Sequence, residues 1–297
     1  MSNFDYLKGV YNIAPTPFNP DGSLDEASIA TLTNFLIDTG VDGLTILGVL
    51  GENSKVSEDE RDRVTAAVLE AAAGRVPICV GTSHSGTDQA VAYSKRAQEL
   101  GAKAVMMAPP KLARSSDAAL RRHYLAVAEA VDIPVVVQDH PTSTGVLMSV
   151  DFIAAIAEEA PHCRFLKLED LPSPTKVTQV RRANPNVTIF GGLGGMMFLE
   201  ELRHGAHGTM TGFAFPEILV DIYQKYSSGD IDGATEVFYR YIPLIRFENQ
   251  PFINLALRKI IYHKRGAIAS PRVRTPFAPV DEDTLADLKD LLTRLEL

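Results

Sequence analysis

Tryptophan is absent from the 297 residues, and only two cysteines occur, Cys79 and Cys163. With no C-x-x-C pair, they exclude a disulfide framework and favour a reducing, cytoplasmic compartment. Positive charge is scarce: 29 Lys and Arg stand against 37 Asp and Glu, with no long basic block. A phosphate backbone finds no electrostatic footprint, so nucleic acid is not an expected partner. The opening MSNFDYLKGV lacks a basic region followed by an apolar core, and no apolar run approaches the ~18 residues that span a bilayer, so no membrane partner is expected. The histidines form no H-x-x-x-H pair, and His204-x-x-His207 reads as a helix-end loop beside Gly205, so no metal is expected. What is present is an ordinary soluble composition, 45% hydrophobic and 22% charged, with enough apolar side chains for a sizeable core.

Apolar, β-branched runs alternate with amphipathic stretches from residue 10 to about residue 225. Eight strands are expected: Val10–Phe18, Gly43–Gly48, Pro77–Ser83, Ala104–Pro110, Pro134–Pro141, Phe165–Asp170, Val187–Gly192 and Gly208–Ala214. Helical patterns separate them, among them Asp25–Thr39 stopping at Gly40, Thr87–Leu100 stopping at Gly101, and Ser57–Ala73, whose Ser57-Glu58-Asp59-Glu60 start reads as a capping box. Strands of nearly continuous apolar character need cover on both faces, which a helix after every strand supplies. The fold class is therefore α/β, a (β/α)8 TIM barrel over 1–225, preferred to an open doubly wound sheet. Residues 226–297 carry only helical patterns, Asp230–Tyr241, Asn254–Lys264 and Glu282–Leu295, and read as a C-terminal helical extension.

In a barrel of this kind, chemistry belongs at the C-terminal ends of the strands. Lys167 in FLKLED stands out, because a buried ammonium must be paired or must shed its proton and serve as an amine nucleophile. Glu169 shares its face, with Cα atoms about 6.6 Å apart along a strand. A plain Lys–Glu ion pair is the competing reading. By the same alternation Gln138 and His140 share a face at the end of strand five, which makes His140 a candidate acid/base. Gly48-Val49-Leu50-Gly51-Glu52 lets backbone N–H groups approach a carboxylate, or is simply a tight turn. Gly191-Gly192-Leu193-Gly194-Gly195 and Thr211 form either a phosphate site or the wall of a pocket for the tail of a sugar acid, and the second reading is preferred. Val49, Leu50, Met107 and Phe213 are expected to give the pocket an apolar character.

In order and spacing, Thr16-Pro17-Phe18, Gly48-x-x-Gly51-Glu52, Pro141…Thr144-Gly145 and Lys167 together resemble the dihydrodipicolinate synthase/N-acetylneuraminate lyase superfamily of Schiff-base pyruvate lyases over essentially the whole chain. The resemblance implies a barrel with a C-terminal helical bundle, a homotetramer built as a dimer of dimers, and a lysine that forms an imine with a 2-oxo acid. The sequence departs from that pattern where Val49 and Leu50 replace two threonines, Gln138 a tyrosine, Ser143 an arginine and Lys111 an interface tyrosine. Those departures argue against lysine biosynthesis and ordinary sialic-acid cleavage. The stretch Arg258-Lys259…Arg265-Gly266-Ala267-Ile268-Ala269-Ser270-Pro271 is similar to the branch of sugar-acid dehydratases, such as 2-keto-3-deoxyarabonate dehydratase, and hydroxypyrroline-carboxylate deaminases.

The expected activity is thus a Schiff-base lyase on a small-molecule 2-oxo acid, a dehydratase or deaminase, with Lys167 as nucleophile, Glu169 and then His140 as proton carriers, and Gln138 as an orienting amide. The N–H groups near Leu50 and Gly51 are expected at the carboxylate, Val49 at the substrate as part of the apolar lining, and Gly192, Leu193 and Thr211 at the distal chain. An aldolase or hydratase-aldolase releasing pyruvate, and a non-catalytic 2-oxo acid binding protein, are the alternatives. No cofactor is expected: a pyridoxal-phosphate enzyme would call for a second, β-rich domain that the chain lacks.

Overall fold

The computed structural model describes residues 4–112 and 115–297. Eight parallel strands, β1 (Gly9–Ile13), β2 (Gly43–Ile46), β3 (Ile78–Gly81), β4 (Ala104–Met107), β5 (Val135–Asp139), β6 (Phe165–Leu168), β7 (Thr188–Gly191) and β8 (Gly208–Thr211), close in sequence order, with β8 pairing back to β1. Helices α1 (Glu26–Asp38), α2 (Glu58–Ala72), α3 (Thr87–Leu100), α4 (Asp117–Ala130), the single turn α5 (Pro141–Thr144), α6 (Val150–Glu159), α7 (Ser173–Ala183), α8 (Phe198–Arg203) and α9 (Pro216–Ser228) fill the connections. Helices α10 (Ile231–Glu248), α11 (Asn254–Lys264) and α12 (Glu282–Leu295) follow. Among the described residues no helix is long and apolar enough to cross a membrane.

Side-chain alternation divides the core in two. Tyr11, Ile13, Cys79, Met106, Val136, Phe165, Phe190 and Met210 fill the barrel interior, while Val10, Leu44, Val105, Val137, Leu166 and Ile189 pack outward against the helices. Each such fully buried side chain stabilises the fold by roughly 1.5–3 kcal/mol. Phe165 points inward, so Lys167, two residues on, must do so too, while Leu166 and Leu168 anchor the strand outward.

The expected strand Val10–Phe18 is too long. Its ladder ends at Ile13, because Pro15 and Pro17 have no N–H to give, and Phe18 instead forms an isolated antiparallel bridge to Leu24. Other strands also end short of their expected C-terminal limits, and the chain released there builds the rim. The helix expected over Asp230–Tyr241 runs on to Glu248 through Pro243, since Leu244, Ile245 and Glu248 continue its buried face and outweigh the lost hydrogen bond. Helix α2 has the capping box: Ser57 Oγ accepts from Glu60 N–H, and the Glu60 carboxylate accepts from Ser57 N–H.

Candidate active site

Strand β5 lies beside β6, with Gln138 in register with Lys167, and β7 lies on the other side, with Phe190 in register. This pairing assembles the site. Lys167 Nζ is 3.1 Å from Glu169 Oε2, and Gln138 Nε2 donates to the same oxygen at 2.7 Å. His140 Nδ1 stands 3.7 Å from that oxygen and 2.9 Å from Ser143 Oγ. The other carboxylate oxygen, Oε1, accepts a long bond from Leu193 N–H at 3.5 Å. Lys167, Glu169 and Gln138 are all buried. Asp139 points the opposite way, into the helix layer, where Lys176 Nζ meets it at 2.7 Å.

The electrostatics follow from the geometry. Burial pushes the Glu169 carboxyl upward, but the Lys167 charge, His140 and the hydrogen bonds from Gln138 and Lys167 outweigh it, holding Glu169 below the usual carboxylate range. Burial also lowers the His140 imidazole; Lys167 adds to this, and Glu169 opposes it. His140 is therefore a neutral ring at neutral pH. Gly192 is required by close approach, since a Cβ there would lie 2.4 Å from Glu169 Cγ.

These groups line a cavity of about 680 Å³ at the C-terminal rim. Lys167, Glu169, His140, Gln138, Val49, Leu50, Leu193 and Thr211 all face it. Gly51 and Gly192 do not: Gly51 N–H donates to Gly48 O within the turn, and Gly192 backs Glu169 instead. Nor do Met107 and Phe213, whose side chains are wholly buried in the outer core by strand alternation. Residues Val49–Gly51 form one turn of 3-10 helix, whose first N–H groups have no partner within the turn.

The turn is pinned from three directions. Thr16 Oγ1 donates to Gly51 O at 2.6 Å, and Glu52, in the left-handed region at φ 56°, accepts from Lys259 Nζ at 2.5 Å, Lys55 Nζ at 3.1 Å and Arg274 N–H at 3.0 Å. Phe18 lies beneath two of those cations, 4.5 Å from Lys259 Nζ and 4.0 Å from Arg274 Cζ. The Thr-Pro-Phe and Gly-x-x-Gly-Glu segments thus meet in space as one clamp.

The sequence reading missed the second wall. Arg246, Asn249, Gln250, Asn254 and Arg258, from α10, α11 and their corner, face the cavity, as does Phe252 at its mouth. The signal available was Arg258-Lys259 inside the helix Asn254–Lys264: adjacent charges flanked by Leu257 and Ile260 demand buried partners. Among the described residues no group of three His, Cys, Asp or Glu side chains is placed to hold a metal.

Comparison with known proteins matches this architecture along the whole chain. The model of the dihydrodipicolinate synthetase family matches residues 6–295. L-2-keto-3-deoxyarabonate dehydratase of Azospirillum brasilense is 35% identical over 294 residues, 97% of this chain and 94% of the relative. A 4-hydroxy-tetrahydrodipicolinate synthase of Methanothrix thermoacetophila is 30% identical, covering 97% of each chain. Among solved structures, dihydrodipicolinate synthase from Rhodopseudomonas palustris superposes with a TM-score of 0.93 at 33% identity over 99% of each chain. YagE from Escherichia coli K12, crystallised in complex with pyruvate, gives 0.91 at 26% identity over 98% of this chain and 99% of its own. With its closed barrel, its clamp and its strand-six lysine, the chain belongs to the dihydrodipicolinate synthetase family.

Proposed function

We propose that the protein is a class I Schiff-base lyase that dehydrates a 2-keto-3-deoxy sugar acid. The observation that carries this reading is the Lys167–Glu169–Gln138 cluster at the cavity floor: an amine and an ionised carboxylate in contact, with an amide beside them that does not exchange protons. The sugar-acid dehydratase among the relatives supports it.

In the proposed sequence Glu169 takes a proton from Lys167, whose free amine attacks the C2 carbonyl carbon. Glu169 returns that proton to the carbinolamine hydroxyl, which leaves as water and gives the iminium with the carboxylate restored. That cation acidifies C3, and the Glu169 carboxylate removes a C3 proton to form the enamine. The enamine electrons then move to C3–C4 and the C4–O bond breaks; the departing hydroxide takes the proton held by Glu169 and leaves as water. A second water hydrolyses the conjugated iminium, releasing product and free lysine. The net change is loss of one water with the carbon chain intact. The carboxylate of the 2-oxo acid lies against the open N–H groups of Val49 and Leu50, and Gln138 orients Glu169. Homotetrameric assembly and a cytoplasmic home belong to the same proposal.

The test is intact mass after incubation with pyruvate and borohydride, wild type against Lys167→Ala. A pyruvyl adduct in the wild type alone supports imine chemistry, and a panel of 2-keto-3-deoxy sugar acids then reports water release with an intact chain. Absence of any adduct with pyruvate or longer 2-oxo acids overturns the mechanism in favour of a binding protein, whereas pyruvate plus an aldehyde as products turns the reading to aldol cleavage.

A further inference from the structure

Arg258 is 2% exposed, yet its guanidinium is not fully used. Nε donates to Glu248 Oε1 at 2.7 Å and Nη2 to Asn249 Oδ1 at 3.1 Å. Glu248 is held in turn by Ala214 N–H, and Asn249 Nδ2 donates to Leu193 O at 2.9 Å, so the fork is locked to the ends of β7 and β8. Among the described residues no acceptor reaches Nη1, although the residue faces the cavity. A buried charged donor left without an acceptor is destabilising unless a ligand supplies one.

The wall beside it is close-packed, and only a glycine fits there. Gly212 follows Thr211 at the end of β8, and a Cβ there would lie 3.4 Å from Nη1, 2.7 Å from Leu50 Cδ1 and 3.1 Å from Ile13 O. Any side chain at 212 would crowd the space next to the unused N–H. The charge balance narrows the choice of acceptor. Glu248 already offsets the positive charge of Arg258, so the open N–H belongs to a net-neutral pair and suits an uncharged oxygen better than a second carboxylate. The 2-oxo acid carboxylate has the first N–H groups of the Val49–Gly51 turn, and C2 is fixed by Lys167. The oxygen left for Arg258 sits further along the substrate, toward Thr211 and Leu193.

We infer that Arg258 is the specificity residue for a distal hydroxyl of the substrate, donating Nη1–H to it and selecting hydroxylated 2-oxo acids over plain aliphatic ones. This rests on the proposed lyase reading. It assigns to the helical extension the recognition of the substrate tail, while the barrel strands carry the imine.

The experiment measures the concentration for half-maximal borohydride trapping, quenched before turnover, with pyruvate, 2-oxopentanoate and 4,5-dihydroxy-2-oxopentanoate. The last two share a carbon skeleton and differ only in two hydroxyls. The wild type should trap the dihydroxy acid at a concentration about tenfold or more below that for 2-oxopentanoate, the effect of one hydrogen bond to a charged group. Arg258→Lys keeps the charge beside Glu248 but loses the fixed fork, and should bring the ratio to within about twofold. The double variant Arg258→Met/Glu248→Gln, which removes both charges together, should do the same, and trapping with pyruvate reports whether each variant retains a folded imine site. A ratio that survives in the variants, or a loss that falls equally on pyruvate and the dihydroxy acid, overturns the inference. Failure of the wild type to trap any of the three acids refutes the lyase reading itself.

Discussion

Replacing Glu169 with Gln removes the proposed base for the C3 proton while leaving the Lys167 amine in place. The amide is nearly isosteric, so Gln138 retains an acceptor opposite its Nε2 at the present 2.7 Å, and Gly192 still leaves room for the side chain. What disappears is the negative charge 3.1 Å from Lys167 Nζ and, among the described residues, the only carboxylate facing the cavity. A positioned general base contributes roughly 10²–10⁴-fold, or about 3–5 kcal/mol of barrier. The assay is deuteration of the pyruvate methyl group in D2O, followed by proton NMR, alongside the borohydride adduct. Wild type should both trap and exchange. Glu169→Gln should still reach the pyruvate adduct on long incubation, more slowly because Lys167 must lose its proton to solvent, while exchange from the formed adduct slows by about two to four orders of magnitude. His140→Asn should slow exchange far less, because its ring stands 3.7 Å from Glu169 and burial keeps it neutral. Exchange at the wild-type rate in Glu169→Gln, with the adduct still forming, would falsify the assignment of Glu169 as the base.

Two further outcomes test the groups behind the site. Glu201 is buried against Gly191, with Ser173 Oγ as donor at 2.7 Å, and burial pushes its carboxyl up to about 8. A raised folded value means the stabilising contribution is fully present below the ordinary value of 4.5 and is lost as pH rises past about 8, a change on the order of 3–5 kcal/mol. Glu201→Gln should therefore raise Tm at pH 9 and leave it nearly unchanged at pH 5; an equal shift at both would show that protonation plays no part. Lys259→Met removes a cation 2.5 Å from the buried Glu52 and should lower stability by about 3–5 kcal/mol in urea unfolding, with weaker pyruvate trapping as the Val49–Gly51 turn loosens. Trapping unaffected at full folding would disprove the link between the clamp and the turn.

Much of this architecture was written in local patterns. Apolar runs of strand length, each followed by a helical period and a glycine stop, led to eight βα units, because alternation and capping are properties of neighbouring residues. The Lys167–Glu169 and Gln138–His140 pairs were legible for the same reason: a period of two puts each pair on one face, and a charge between Leu166 and Leu168 is conspicuous. Strand ends were not legible at Val10–Phe18, since whether Ala14 to Phe18 continue a ladder depends on which backbone donors Pro15 and Pro17 remove, a question settled by the neighbouring strand. The wall built by Arg246, Asn249, Gln250, Asn254 and Arg258 was hidden for a different reason. These residues reach the cavity only because α10 continues past Pro243 and turns back into α11 over the rim, a long-range placement that leaves no periodic trace. Met107 and Phe213 were misplaced by one step of alternation, which sends a side chain from cavity to outer core.

An amide rather than a phenol at Gln138 decides how the two oxygens of Glu169 can be used. Oε2 receives Gln138 Nε2 at 2.7 Å and faces Lys167 Nζ at 3.1 Å, so two donors compete for it and keep it ionised despite burial. Oε1 has only the long contact from Leu193 N–H at 3.5 Å. A phenol in place of the amide would bring its own exchangeable proton to the shared oxygen, and proton traffic could then run along strand five. With an amide there, the proposed mechanism confines that traffic to the carboxylate: Oε2 relieves Lys167 of its proton before attack, and Oε1 is left for carbon chemistry on the side of Leu193. Elimination suits that confinement, because the base that removes the C3 proton must return it to a hydroxide leaving from the adjacent carbon, and one carboxylate serves both ends of so short a transfer.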